Sequence, residues 1–305
     1  MFLCCLAWAQ GNPVTADDFW KRGYEYKFEG FLELAINDFS EAIRLEPENF
    51  IAHGGRGDVY RLMDRFEYAI RDYSTAIDIN KDDFISYMLR GECYRFLNQF
   101  DAALRDLNEG IRLEPDESIL YEFRGLIYYD QCLYEMALAD FNRAILLEPN
   151  NGFFYGSRGA VYLRQGRYDL ALSDLNFAAE KNPEAPFAFL NRGIVYQRLG
   201  QSDLATSDFN EVLRLYDNPV NNYHPSWFLS NRGEAHRLLG NIEKAIEDFN
   251  EALKIRGDNA SSLTYGRRGL AYQQLGHTEL ARQDFERALR LNPTLDWVLS
   301  AMAGM

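Results

Sequence analysis

Arginine and aspartate recur in register along this chain, each arginine sixteen residues ahead of its aspartate. The pairs are Arg22 and Asp38, Arg56 and Asp72, Arg90 and Asp106, Arg124 and Asp140, Arg158 and Asp174, Arg192 and Asp208, Arg232 and Asp248, and Arg268 and Asp284. A guanidinium beside a carboxylate could hold a ligand, or the two could satisfy each other in two-pronged geometry. Eight copies favour the second use, because a function rarely needs the same group eight times. The spacing predicts a ladder of Arg–Asp contacts that sets register between packed helices. Its rungs lie either within a repeating unit (Arg56 with Asp72) or between neighbours (Asp38 with Arg56).

The other reactive side chains form no recognisable centre. There is no G-x4-G-K-[ST] phosphate loop, no H-E-x-x-H, no calcium loop and no G-x-S-x-G elbow. Gly54-Gly55-Arg56-Gly57 is glycine-rich but falls inside a helix rather than after a strand, so it is not a dinucleotide fingerprint. His53 and His236 occupy aromatic repeat positions, His277 a turn and His224 an insert, a scatter that suits no metal centre. Cys4, Cys5, Cys93 and Cys132 lack the spacing of a zinc or redox motif and are too few for a disulfide scaffold. Arg56-Gly57-Asp58 spells an adhesion tripeptide, but its first two residues are repeat anchors. Asn259-Ala260-Ser261 is a glycosylation sequon that matters only in a secreted eukaryotic chain. The expectation is no catalytic residue, no cofactor and no metal.

The pairs ride on a repeat. Arg-Gly occurs at Arg22-Gly23, Arg56-Gly57, Arg90-Gly91, Arg124-Gly125, Arg158-Gly159 and Arg192-Gly193, each 34 residues after the last, then at Arg232-Gly233 and Arg268-Gly269 after 40 and 36. Counting from seven residues before each glycine, eight units begin at Ala16, Phe50, Phe84, Ser118, Gly152, Pro186, Ser226 and Ser262. Position 4 is large in most units, with His53 the exception. Position 11 is tyrosine in seven and His236 in the other. Position 20 is alanine throughout, from Ala35 to Ala281, and position 32 is proline in five units. Positions 4, 8 and 11 share one helical face, and 20, 24, 27 and 28 share another. Glycine at position 15 ends the first helix in five units, an acidic residue at 18 opens the second where its dipole favours negative charge, and proline at 32, where present, stops it.

These residues resemble the tetratricopeptide repeat family, whose unit reads W-x2-L-G-x2-Y followed by Ala, Phe, Ala and Pro. The resemblance covers Ala16 to about Leu295 and implies an all-α, right-handed α-solenoid of eight helix-turn-helix repeats, closed by a short C-terminal capping helix. One departure is consistent, since the family's leucine at position 7 is arginine in every unit. The organisation expected is an N-terminal tail or signal segment over 1–15, a repeat array over 16–295 with an insertion near 216–225, and the cap over 296–305.

Composition narrows the function. Of 305 residues 47% are hydrophobic and 26% charged, which excludes wholesale disorder. The formal charge of -14 argues against a nucleic-acid partner. Phe2 to Ala9 is a short apolar run ending in the small-x-small pattern of a secretory cleavage site, without a basic start. Two readings stay open: export to the periplasm or beyond, or a tail on a cytoplasmic protein. No segment reaches the ~18 to 20 apolar residues of a membrane-spanning helix.

By the resemblance, a partner protein or peptide lies along the first helices, at positions 2, 5, 6, 9, 12 and 13. On those positions stand Trp20, Lys27, Arg61, Arg95, Phe96, Tyr129, Arg164, Asn191, Arg198, Trp227, Asn231 and Arg237, with Phe153 and Phe187 nearby. Arginine suits carboxylates, and arginine and aromatic residues dominate interface energetics. The function expected is a scaffold holding an acidic or C-terminal segment in this groove. The alternative is an accessory subunit of an envelope or secretion assembly that binds through its convex face and end caps. Chaperone-binding members of the family clamp a terminal carboxylate with lysine at position 5 and asparagine at position 9. Position 9 here has no asparagine, which argues against a heat-shock chaperone as partner.

Overall fold

Each first helix of the protein ends against a residue in the left-handed region, and that turn sets the hairpin. Gly30, Gly166, Gly200, Gly240 and Gly276 hold φ between 71° and 83° there. A glycine adopts this conformation freely, whereas another residue spends roughly 1–2 kcal/mol on it. Asp64, Asn98 and Cys132 occupy the same turn at φ 56–58°.

The computed structural model describes residues 15–217, 225–257 and 261–305. The expectations for the apolar run at 2–9, for Cys4, Cys5 and His224, for most of the 216–225 insertion and for the Asn259 sequon fall outside them. Among the described residues there are seventeen helices and no strand, the all-α solenoid of helical hairpins. They group into two compact units divided between Arg90 and Gly91. In the first, α1 (Ala16–Glu29) pairs with α2 (Leu32–Leu45) and α3 (Phe50–Leu62) with α4 (Phe66–Ile79). Helix α5 (Phe84–Phe96) contains the dividing point. The second unit holds α6 (Phe100–Leu113), then the pairs α7 (Ser118–Asp130) and α8 (Tyr134–Leu147), α9 (Gly152–Arg164) and α10 (Tyr168–Lys181), and α11 (Pro186–Arg198) and α12 (Ser202–Tyr216). It continues with α13 (Ser226–Leu238) and α14 (Ile242–Arg256), α15 (Ser262–Gln274) and α16 (Thr278–Leu291), and α17 (Asp296–Ala303).

The core is one plug per hairpin. Phe39, Phe141, Phe249 and Phe285 are wholly buried, as are Tyr73, Leu107 and Leu175 at the same repeat position. Burying each such side chain is worth about 1.5–3 kcal/mol. The plug of each hairpin rests on a glycine of the facing helix: a Cβ on Gly125 would come within 2.6 Å of the Phe141 ring. The alanines at position 20 are buried beside it, from Ala35 to Ala281.

Within the second unit the chain also returns on itself. Arg256, only 8% exposed, donates Nη2 to the Phe96 carbonyl at 2.5 Å and lies over the Phe96 ring. Asn292, 2% exposed, donates Nδ2 to the Asp130 carbonyl at 3.0 Å, and Cys132 Sγ donates to the Thr294 carbonyl at 3.2 Å. Ser262 Oγ donates to Asn98 Oδ1 at 3.3 Å. Two of the three turns that lack glycine, Asn98 and Cys132, are therefore turns whose side chains meet the returning repeats.

Helix α17 docks by a rule used elsewhere in the unit. Gly156 in α9 leaves room for the ring of Phe187, and Gly266 in α15 does the same for Trp297, where a Cβ would lie 2.4 Å from the ring. Gly266→Ala is expected to overpack that contact by about 1–2 kcal/mol. Amide hydrogen exchange should then quicken across Asp296–Ala303 and stay unchanged in α1–α4; unchanged exchange in α17 would refute this packing role.

Candidate binding surface

The repeated arginine is held on three sides. In Arg22, Arg56, Arg124, Arg158, Arg192, Arg232 and Arg268, Nε and Nη2 donate to both oxygens of the aspartate in the same unit, at 2.5–2.9 Å. The third nitrogen crosses to the preceding unit. Nη1 donates to Ser40 from Arg56, Ser74 from Arg90, Asn108 from Arg124, Asn142 from Arg158, Asn176 from Arg192 and Asn250 from Arg268, at 2.6–3.1 Å. Aromatic rings at positions 4 and 11 flank the guanidinium, as Tyr155 and Tyr162 flank Arg158 at 5.3 and 5.9 Å. A planar cation replaces leucine here because it can stack between two rings and bond at its edges. Where position 4 is His53, the imidazole lies 3.5 Å from Asp72 instead. Burial would push the Asp72 carboxyl up, but hydrogen bonds from Arg56 and His53 outweigh it and hold the group below its ordinary value.

The cations expected to line the groove are mostly engaged with neighbouring first helices. Lys27 Nζ donates to Asp58 at 2.6 Å, and Arg95 Nη1 to Asp130 at 2.7 Å. Arg237 clasps Glu234 with Nε and Nη2 at 2.8 and 2.7 Å and reaches Gln274 with Nη1. Arg164 Nε donates to the Tyr129 hydroxyl at 3.0 Å, and its guanidinium lies over Trp297. The guanidiniums of Arg95 and Arg256 lie 4.7 and 5.7 Å from the centre of the Phe96 ring. Trp20 donates Nε1 to Asp17 of its own helix, and Asn191 donates Nδ2 to the Phe187 carbonyl. Arg61 is half-buried. Arg198 is exposed, with no ion pair among the described residues.

In the second unit these helices also leave aromatic rings open at their N-terminal ends. Phe153 and Phe187 stack with centroids 6.2 Å apart and nearly parallel planes. With Trp227, Pro183 and Asn231 they line a cleft of about 630 Å³ in the second unit. Phe153 is 43% and Trp227 50% exposed.

Beside the cleft the charges crowd together. Arg267 donates Nη1 to Asn231 Oδ1 at 2.9 Å and to Ser230 at 3.2 Å. Burial would lift the Glu234 carboxyl, but Arg237, Arg267 and Arg164 hold it below the usual carboxylate range. Burial, and then the neighbouring Arg164 and Arg237, lower Arg267 against the pull of Glu234. Arg267 is not among the groove residues named from the sequence. It stands at position 6, the register of Asn191 and Asn231, and that shared register is the signal that points to it.

The comparisons with known proteins fall in one family. Models described as tetratricopeptide repeat match residues 21–84, 85–117, 118–151, 184–258 and 224–294. No match was found among curated proteins. Among solved structures, a tetratricopeptide repeat protein from Parabacteroides merdae is 19% identical over 84% of this chain and 98% of its own, with a TM-score of 0.59. Human IFIT1, solved as a dimer with m7Gppp-AAAA, is 16% identical over 91% of this chain and 72% of its own, at 0.62. Pseudomonas aeruginosa PilF is 18% identical over 67% and 93%, at 0.56. At these identities the likeness is one of fold.

Proposed function

The chain belongs to the tetratricopeptide repeat family, and from that membership we propose that it is a protein-interaction scaffold with no chemistry of its own. It takes a segment of a partner protein against the face of its first helices in the second unit. The observation that carries this reading is the pair of half-exposed aromatics, Phe153 and Trp227, in a cleft of about 630 Å³ beside a group of arginines. Large flat side chains left in water around a concavity are what a partner's apolar residues would cover. An acidic segment is favoured by Arg267 beside that cleft rather than by Lys27, Arg95 and Arg237, whose charges are paired.

A second reading, the accessory subunit that binds through its outer surface, has its own support. Position 19 of the second helices exposes Met136, Leu170, Leu204 and Leu280 in the second unit, each more than 40% accessible. Photo-crosslinking separates the two. With a benzoyl-phenylalanine at position 227 or at position 204, expressed in the source cells, adducts with a partner are expected from 227. Adducts from 204 alone would replace the groove reading with the outer-surface one.

A further inference from the structure

Two features of the second unit meet at one side chain. Asn231 lines the aromatic cleft, and its Oδ1 accepts from Arg267. Arg267 spends Nη1 on Asn231 and Ser230, while its Nε and Nη2 make no hydrogen bond among the described residues. In seven rungs of the ladder that same fork of Nε and Nη2 holds a carboxylate, so the protein itself shows what the fork accepts. The carboxylate among its charged neighbours, Glu234, is already clasped by Arg237. Three guanidiniums, Arg237, Arg267 and Arg164, thus act on one buried acid, and Arg237 alone holds it by hydrogen bonds. Asp296 offsets part of the charge on Arg164, and positive charge remains in surplus.

Resting on the groove reading, we propose that the cleft and the Arg267 fork bind one extended segment of a partner protein in which a bulky apolar side chain stands close to an acidic one. The apolar side chain enters between Phe187 and Trp227. The carboxylate is taken by Nε and Nη2 of Arg267, which its hydrogen bond to Asn231 ties to the cleft. This fixes both the composition of the segment and its polarity of placement, which the aromatic cleft alone would not.

The test uses the full chain and labelled octapeptides carrying one Trp, Phe or Leu followed at one, two or three residues by Glu, read by fluorescence anisotropy. At least one spacing is expected to bind. Replacing its Glu by Gln should weaken binding roughly tenfold or more, as loss of a charge-assisted hydrogen bond does. Replacing the apolar residue by Ser should weaken it likewise. Arg267→Gln should erase the preference for Glu over Gln while keeping the apolar preference, and Trp227→Ala should do the reverse. Arg267→Lys keeps the charge without the fork and should recover only part of the discrimination. The peptide substitutions need no altered protein, so a variant that fails to fold leaves the test standing. Failure of every peptide to bind, or an intact Glu preference in Arg267→Gln, overturns the proposal. If crosslinks form from position 227 but no peptide binds, this inference fails and the groove reading survives. Crosslinks from 204 alone sink both.

Discussion

Replacing Arg158 by leucine, the residue the family carries at that position, is expected to destabilise the second unit by about 3 kcal/mol. The leucine would fit the slot. The cost arises because Asp174, 5% exposed, loses both hydrogen bonds from Nε and Nη2 and is left as a buried, unpaired carboxylate. Asn142 also loses its donor from Nη1, so the link to the preceding unit goes with it. The informative comparison is the double replacement Arg158→Leu with Asp174→Leu. Exchanging a buried ion pair for apolar groups is often neutral or stabilising, so the double variant should recover most of the loss. Stacked repeats unfold in parts rather than as one body, so hydrogen exchange in α9 and α10 is the measurement, supported by urea unfolding. Equal losses in the single and double variants would show that the arginine acts through its stacking on Tyr155 and Tyr162 rather than through the pair.

The same comparison explains what could be read from the sequence. Repeat phase, hairpin ends and the plug residues are set by spacings of three, four and 34, which are local and therefore visible. The Arg–Asp ladder is local too, but Arg56 lies sixteen residues from Asp72 and eighteen from Asp38, so spacing alone left its rungs open until the structure paired each arginine within its own unit. The third arm of the arginine, toward Ser40 or Asn108, needed knowledge of how one unit rests on the next. So did the fate of the groove cations. Lys27 meets Asp58 and Arg95 meets Asp130 across 31 and 35 residues, distances at which a helical face is legible but its occupant is not. The return of Asn292 to Asp130, 162 residues away, has no periodic signature at all. Its trace in the sequence is an exception, the loss of glycine at Asn98 and Cys132 in a turn that prefers it.

Glu122 tests the electrostatics of the interior face from the opposite direction. It lies at position 5 of α7, 9% exposed, and accepts a hydrogen bond from Ser157 Oγ at 3.0 Å. Burial pushes its carboxyl up to about 7, helped by Glu92 and opposed by Ser157 and Arg95. In the unfolded chain the group titrates near 4.3. Because the folded value is the higher one, the native state binds the extra proton, and stability is full below about pH 4 and declines as pH rises toward 7. A shift of this size corresponds to an upper bound of about 4 kcal/mol at pH 8. Glu122→Gln keeps an acceptor for Ser157 and carries no charge to bury, so it escapes the decline. The variant should therefore be more stable than wild type by about 2–3 kcal/mol at pH 8, with the advantage shrinking to near zero by pH 4.5. The ladder carboxylates are common to both proteins and cancel in the difference, even though pairs such as Arg56–Asp72 weaken in acid. Chemical unfolding of both chains between pH 4.5 and 8 measures it. A difference that stays constant across that range would mean that Glu122 is already ionised in the folded protein, with Arg95 shared between it and Asp130.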